Sequence, residues 1–271
     1  MIKLSVIIPS YRDPLLHKTI DSLLTQSGLG DQLEVIPVCD GYWPEKPIVD
    51  DSRVRIVHLG ANRGMRGAIN AGVAVARGEY IMRTDEHATF GNNYDLVLTS
   101  QCEPSWILTA KRYFLNPVEW AVMDIPPVRH EKLVIQDCGN GVKKFAGQRW
   151  KSRDEEYKDV MVSETFAMQG SQWCMKHDWW DKVIVELDTE HYGQLIQDST
   201  EMIFRTWQAG GKLMSTQSTW YAHKHRSFPR THNSGTPENP ANCDKGYKYA
   251  LDTWGKYYEE VIVPRQEGRY A

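Results

Sequence analysis

Residues 79–87 read EYIMRTDEH, and residues 4–13 read LSVIIPSYRD. Both are short apolar runs that break off in polar, chemistry-bearing residues. Residues 4–8, closed by Pro9, suit a buried strand. Residues 79–83 suit another, ending in Thr84, Asp85, Glu86 and His87. Between them, 34–38 and 54–59 read as two more strands. Asp13 before Pro14 predicts a capped helix start, and Leu15, Leu16, Ile20, Leu23 and Leu24 follow at helical spacing until Gly28 and Gly30 stop the helix. Residues 64–77 are alanine-rich and predict a second helix. The order β-α-β-β-α-β implies an α/β fold, a mainly parallel central sheet with helices on both faces. Ligands of such sheets gather beyond the carboxyl ends of the strands, here Pro9 to Asp13, Asp40, and Asp85 to His87. No GxGxxG follows the first strand and no GxxxxGK[ST] occurs, so neither a dinucleotide fingerprint nor a P-loop is present.

The second half is less regular. Residues 106–113, 132–136, 212–214 and 219–222 read as strands, 148–159 as a polar loop or short helix, and 177–183 as a helix opening. Residues 198–209 form a clear helix pattern, with Asp198 or Ser199 as cap and Gly210-Gly211 as terminator. Residues 227–244 are rich in Pro, Asn, Ser and Thr, the composition of a long loop, and are expected to serve as a lid. No repeat or linker divides the chain, so 1–271 is read as a single domain.

Composition sets the outer bounds. Of 271 residues, 41% are hydrophobic and 25% charged, the balance of a folded globular chain. The net charge of −3 argues against a protein held on nucleic acid by bulk positive charge. A nucleic-acid reading would rest on Lys224, His225, Arg226, Arg230, Lys245 and Lys248 with Tyr247, Tyr249 and Trp254, and a solvated face is the favoured reading of that set. The five cysteines are scattered without a CxxC pair, which disfavours a zinc ribbon and suits a reducing compartment. The first apolar run is too short for a signal peptide or membrane anchor, so a cytoplasmic chain with no membrane span is expected.

Asp85 and His87 alternate along extended chain and so project to one side. A carboxylate with an imidazole can hold a divalent ion of the manganese type. His223 or His225, beyond the predicted strand at 219–222, could complete the set, and Lys224, Arg226 and Arg230 beside them would suit a phosphate-rich ligand. Arg63 and Arg66 flank a helix start that can face an anion or simply solvent. Asp198 and Glu201 share a helical face. Glu201 and Arg205 are spaced for an ion pair, which leaves Asp198 the better candidate to face a substrate. Phe204 and Trp207 are expected in the core.

In this order the motifs resemble those of GT-A fold glycosyltransferases, which use nucleotide-diphospho-sugars. SVIIPSYRD, EVIPVCDG and NRGMRGAINAGVAVARGEYIMRTDEH are similar to the inverting family-two group. The DxH at Asp85–His87, GSQWCMKHDWW, DSTEMIFRTWQAGG and the His223–Arg226 stretch are similar to polypeptide N-acetylgalactosaminyltransferases. The resemblance implies a metal-dependent enzyme moving sugar from a UDP-sugar to an acceptor hydroxyl, with Mn2+ or Mg2+ as cofactor. It implies that Pro9, Tyr11 and Asp13 line the nucleotide pocket, that Asp40 meets uracil or ribose, and that Arg66 lies near the uridine or diphosphate. Asp85, His87 and His223 would hold the metal, and Gly170, Ser171 and Gln172 would pass close to the donor sugar. Asp198 and Glu201 would lie near the reacting centre, while Trp173 suits a ligand stack or the core equally. On this reading 1–90 is the nucleotide-binding half, 91–226 the acceptor and metal half, and 227–271 the lid loop and C-terminal segment.

Family-two enzymes carry a Glu-Asp pair where this chain has Asp198-Ser199. The departure favours retention, with inversion using Asp198 as base as the alternative. A sugar nucleotidyltransferase and a non-catalytic nucleotide-sugar binding module are the rival classes. The former would need a glycine- and arginine-rich loop after the first strand. No lectin domain, anchor or stem accompanies the motifs, so a bare catalytic domain is expected. The acceptor stays open among polysaccharide, small molecule, protein and modified nucleic acid.

Overall fold

The computed structural model describes residues 1–138, 141–193, 195–225 and 243–268. Four strands open the chain: β1 (Leu4–Ser10), β2 (Leu33–Asp40), β3 (Val57–Leu59) and β4 (Tyr80–Thr84), with α1 (Leu16–Thr25) and α2 (Gly64–Val75) between them. Then come β5 (Ala88–Phe90), α3 (Tyr94–Gln101), β6 (Trp106–Asn116), β7 (Ala121–Val122) and the hairpin β8 (Glu131–Asp137) and β9 (Lys143–Arg149). The last part holds α4 (Lys151–Glu156), β10 (Val162–Glu164), β11 (Gln172–Lys176), α5 (His177–Trp179), α6 (Asp198–Gln208), β12 (Lys212–His223), α7 (Cys243–Tyr257) and α8 (Val263–Gln266).

One sheet runs through both halves in the order β10-β12-β6-β11-β4-β1-β2-β3. β1 pairs in parallel with β2 and β4, β2 with β3, and β12 with β6. β11 runs antiparallel between β4 and β6, so those two point the same way. The expected largely parallel sheet is therefore present, with β11, β10 and β5 reversed.

Alternation along β1 feeds two cores. Leu4, Val6 and Ile8 join α1 and α3, through residues such as Ile20, Tyr94 and Leu98. Ile7 joins α2, α6 and α7 on the opposite face, through Ile69, Phe204 and Trp254. Trp173, stacked on Trp180, is wholly buried in that second core, as are Phe204 and nearly all of Trp207. Trp173 is thus a core residue and not a ligand stack.

Several local expectations change. α1 begins at Leu16, not at Pro14, because the Asp13 carboxylate accepts the Leu15 N–H (2.8 Å) in a turn ahead of the helix. α6 has no side-chain cap from Asp198 or Ser199; Gln197 precedes it in the left-handed region at φ 56°. The two short strands expected at 212–214 and 219–222 are one strand with a bulge between Thr216 and Trp220. The C-terminal segment contains a 15-residue helix, α7, amphipathic enough to cover β9. Of the expected lid, residues 227–242 lie outside the described residues, as do Arg226 and Arg230.

Candidate functional site

β1, β2, β4 and β12 end at the same edge of the sheet, and the candidate residues collect there. Asp85 follows β4, and its N–H is held by the Ser171 carbonyl (3.1 Å) just before β11. His87 leads into β5, where it lies one register step from the end of β12, so that Ala88 faces His223. The Lys224 N–H donates to the His87 carbonyl (3.1 Å), clamping the two histidine segments together. Ligand-capable atoms of Asp85, His87 and His223 all lie within 4.8 Å of one another.

The hydrogen bonds around this trio select its protonation. Asp13 Oδ2 pairs with His87 Nδ1 at 2.9 Å. An ionised carboxylate accepts there, so the proton sits on Nδ1 and Nε2 is left with a lone pair. His87 Nε2 is buried, has no hydrogen-bond partner among the described residues, and lies 3.8 Å from Asp85 Oδ2. His223 Nε2 is 2.8 Å from the same oxygen. Burial, with Asp85 pulling the other way, brings the His223 pKa down to about 4, which leaves a neutral imidazole at neutral pH. Burial opposes ionisation of Asp85, but the Arg83 guanidinium, His223 and His87 outweigh it and hold the carboxyl well below its usual range. Two imidazoles and one carboxylate around an orphaned ring nitrogen are a donor set that fits a divalent cation.

His225 does not join the trio. Its Nε2 faces Arg112 at 2.8 Å and its ring stacks on Phe114, while burial and the Arg112 charge lower its pKa to about 4. Among the described residues the structure thus groups His223, not His225, with Asp85 and His87.

A cleft of about 390 Å3 opens over the trio. Gly170, Ser171, Asp198, Ser199 and His225 line it, and the β8–β9 hairpin walls it through Lys144, Phe145 and Gly147. Gly170 must be small: a Cβ there would meet Asp198 Oδ2 at 2.9 Å. That oxygen is buried and has no partner among the described residues. Gln172, expected near a sugar, instead turns to β6, where its Oε1 accepts the Ala110 N–H (2.8 Å). A smaller recess adjoins the cleft, lined by Pro9, Tyr11, Asp40, Met65 and Asp85. There Asp40 accepts the Arg63 N–H at 2.7 Å, and burial pushes its pKa up against that bond.

Two expected site residues lie behind the wall. Arg66 is fully buried, donates to Glu201 (2.5 Å) and to the Ile196 carbonyl (3.0 Å), and stacks over the Tyr192 ring at 4.4 Å. Glu201 also binds Arg205 at 2.5 Å. The pair joins α2 to α6 beneath the cleft and does not line it. Asp13 differs from expectation in another way: it supports His87 and edges a separate surface hollow with Tyr42 and Trp43.

Sequence reasoning gave Arg83 no role and named Glu86 only as part of the Asp85–His87 strand end. Arg83 is 1% exposed and ion-paired with Asp85, and it borders both the cleft and the recess. An arginine inside a buried apolar strand, two residues before an aspartate on the same face, was the available signal. Glu86 accepts the Tyr11 N–H at 3.0 Å and so shapes the loop after β1.

The fold is that of the GT-A class. Residues 5–98 match the family model described as glycosyl transferase family 2. An uncharacterized glycosyltransferase, EpsJ of Bacillus subtilis (strain 168), is 41% identical over 85 residues, 28% of this chain and 24% of that protein. The succinoglycan biosynthesis protein ExoO of Rhizobium meliloti (strain 1021) is 36% identical over 74 residues, 27% of this chain and 21% of that protein. The matched region thus spans about a quarter of these relatives. Among solved structures, GalNAc-T7 with UDP, GalNAc and Mn2+ superposes with a TM-score of 0.71 at 14% identity, over 96% of this chain and 50% of that one. The resemblance read from the motifs holds: the chain has the GT-A fold, family-two-like in its first third and similar in fold to a GalNAc-transferase along nearly its whole length. Among the described residues no helix is long and apolar enough to cross a membrane.

Proposed function

We propose that this protein is a metal-dependent glycosyltransferase that takes a UDP-sugar donor and passes its sugar to an acceptor hydroxyl, with retention. The observation that carries the reading is the Asp85–His87–His223 trio, with the buried, unpartnered His87 Nε2 turned toward the other two beneath a cleft. A bound Mn2+ or Mg2+ would neutralise charge growing on the diphosphate leaving group. Pro9, Tyr11 and Asp40 would hold the nucleoside in the recess beside it. The Gly170 backbone and the free Asp198 oxygen would contact the sugar, since both face the cleft. Transfer breaks the bond between the sugar anomeric carbon and the diphosphate, which leaves with the electron pair. The acceptor oxygen bonds that carbon and gives its proton to the departing phosphate. Inversion with Asp198 taking that proton is the second reading, favoured by its unpartnered oxygen.

UDP release from a panel of UDP-sugars, measured with and without Mn2+, tests the proposal. Transferases leak donor hydrolysis, so slow metal-dependent release is expected even without the acceptor. His223→Ala should remove it and His225→Ala should retain it. Release that ignores metal, or that survives alanine at both Asp85 and His87, would overturn the assignment.

A further inference from the structure

A second groove, of about 740 Å3, lies where the C-terminal half of α1 meets β5 and the bulge of β12. The size is in the range of small-molecule sites. It shares no lining residue with the cleft over the metal trio. Two indoles face it, and both are held in place. A Cβ on Gly91 would fall 2.7 Å from Trp220 Nε1, so the Trp220 ring lies against bare backbone, and Tyr113 packs edge-on to it. Trp120 sits over the Lys18 ammonium at 5.2 Å and carries a positive φ of 53°, rare for a bulky side chain.

The polar groups of the groove are uncharged apart from Asp21, and no lysine, arginine or histidine lines it. Thr219 is 4% exposed, yet its Oγ1 has no hydrogen-bond partner among the described residues. A buried hydroxyl in that state is uncommon in folded proteins, and Thr219 is one of the residues that line the groove. Gln26 and Asn92 add amides at the rim. Lys18 reaches the Trp120 ring without lining the groove, and the one charged group that does line it among the described residues, the Asp21 carboxylate, disfavours phosphates and other anions. The amides and hydroxyls speak against a purely apolar guest. Sugar rings match both features: their C–H faces stack on aromatic rings and their edges carry hydroxyls.

We propose that this groove binds a neutral saccharide chain. Its position gives that binding a use. β12 carries both Trp220 and His223, and β5 pairs beside it from Phe90 to Ala88, so groove and trio lie about 10 Å apart along one ladder at ~3.3 Å per residue. The binding claim stands on the groove alone and does not need the transferase reading.

Saturation-transfer NMR on the whole protein tests it, with tetrasaccharides of β-linked glucose, β-linked N-acetylglucosamine and α-linked mannose, a tetragalacturonate as anionic comparator, and EDTA present throughout. At least one neutral probe is expected to receive saturation and the tetragalacturonate none. Trp120→Ala should weaken the binding about tenfold, Trp120→Phe should restore part of it, and Thr219→Val should weaken it with thermal unfolding unchanged. Silence from all three neutral probes, equal binding of the uronate, or full binding by both the Trp120→Ala and Thr219→Val proteins would overturn the proposal. Because the trio is stripped of metal in this assay, a failed metal assignment leaves the result intact.

Discussion

Asp13 is the residue whose replacement tests whether His87 is oriented to hold a metal. Its carboxylate divides its work: Oδ1 accepts the Leu15 N–H at 2.8 Å and Oδ2 accepts His87 Nδ1 at 2.9 Å. Burial disfavours its charge, but the bonds from His87 and Leu15 outweigh this and lower its pKa, so it is ionised at neutral pH. Asp13→Ala frees the His87 tautomer, and loss of such an outer partner typically weakens a metal site 10–100-fold, or about 1.4–2.8 kcal/mol. Asp13→Asn is the sharper probe. If its single carbonyl keeps the Leu15 N–H, its NH2 points at His87 and drives the ring proton onto Nε2, where no cation can bind. The near-isosteric change should therefore weaken Mn2+ binding at least as much as alanine does. Calorimetric titration with Mn2+ reads the affinity. Two-dimensional 15N–1H spectra of the metal-free protein read the tautomer directly, with Nδ1–H in the parent and Nε2–H in the Asn variant. Parent-like Mn2+ affinity in both variants would refute the claim that Asp13 orients His87.

Four other variants probe the surroundings. Glu201→Ala strands the fully buried Arg66 and half-exposed partner Arg205; it should cost about 3–5 kcal/mol in denaturant unfolding, whereas a catalytic Glu201 would lose activity without losing stability. Burial already pushes the Glu201 pKa up despite both guanidiniums, so Arg66→Met with Glu201→Leu should cost less than the sum of the two single changes. Gly170→Ala places a methyl 2.9 Å from Asp198 Oδ2, and should destabilise by about 1–3 kcal/mol and cut transfer, a result absent if the backbone there has room. Glu34 is buried beneath Arg77 and Arg55, and its bonds from Ser5 and Arg77 hold its pKa below the ordinary 4.5 despite burial. Its ionised form therefore contributes stability above pH 4.5 that drains away as pH falls through the lowered folded pKa, and Glu34→Gln should flatten the acid limb of a stability–pH curve there.

What could be read from the sequence follows the range of the interactions involved. β1, β2, α2 and β4 were legible because a buried parallel strand declares itself in a few consecutive apolar residues, and the polar residues that end it are the site. β9, with Lys143, Lys144, Gln148 and Arg149, was not, because one side of its hairpin faces water and only Phe145 is drawn fully into the core. β5, three residues long, exists because β12 is there to pair with it, and no local pattern can announce a partner more than a hundred residues away. α7 was hidden by the Pro- and Asn-rich stretch before it, although Tyr247, Ala250 and Trp254 recur at helical spacing.

The same distinction applies at the site. Asp85, His87 and His223 stand out in the sequence because each adjoins a strand end, and strand ends in a parallel sheet share an edge whatever lies between them in sequence. Arg66 and Glu201 enter the expected site only through the family resemblance, and a helix turns 100° per residue, so a helix start at the site fixes nothing about which residue faces inward. Arg66 falls two residues after Gly64, on the flank where Ile196 and Glu201 close over it. Its burial tells against ligand binding and for architecture: a guanidinium held by a carboxylate, a carbonyl and an aromatic face fixes the spacing of α2 from α6. The position of Asp198 over the cleft is set by that spacing. The resemblance puts Arg66 near the diphosphate and Glu201 near the reacting centre, whereas their buried pairing holds α2 against α6, and measuring stability and transfer together in Glu201 variants is what tells the two roles apart.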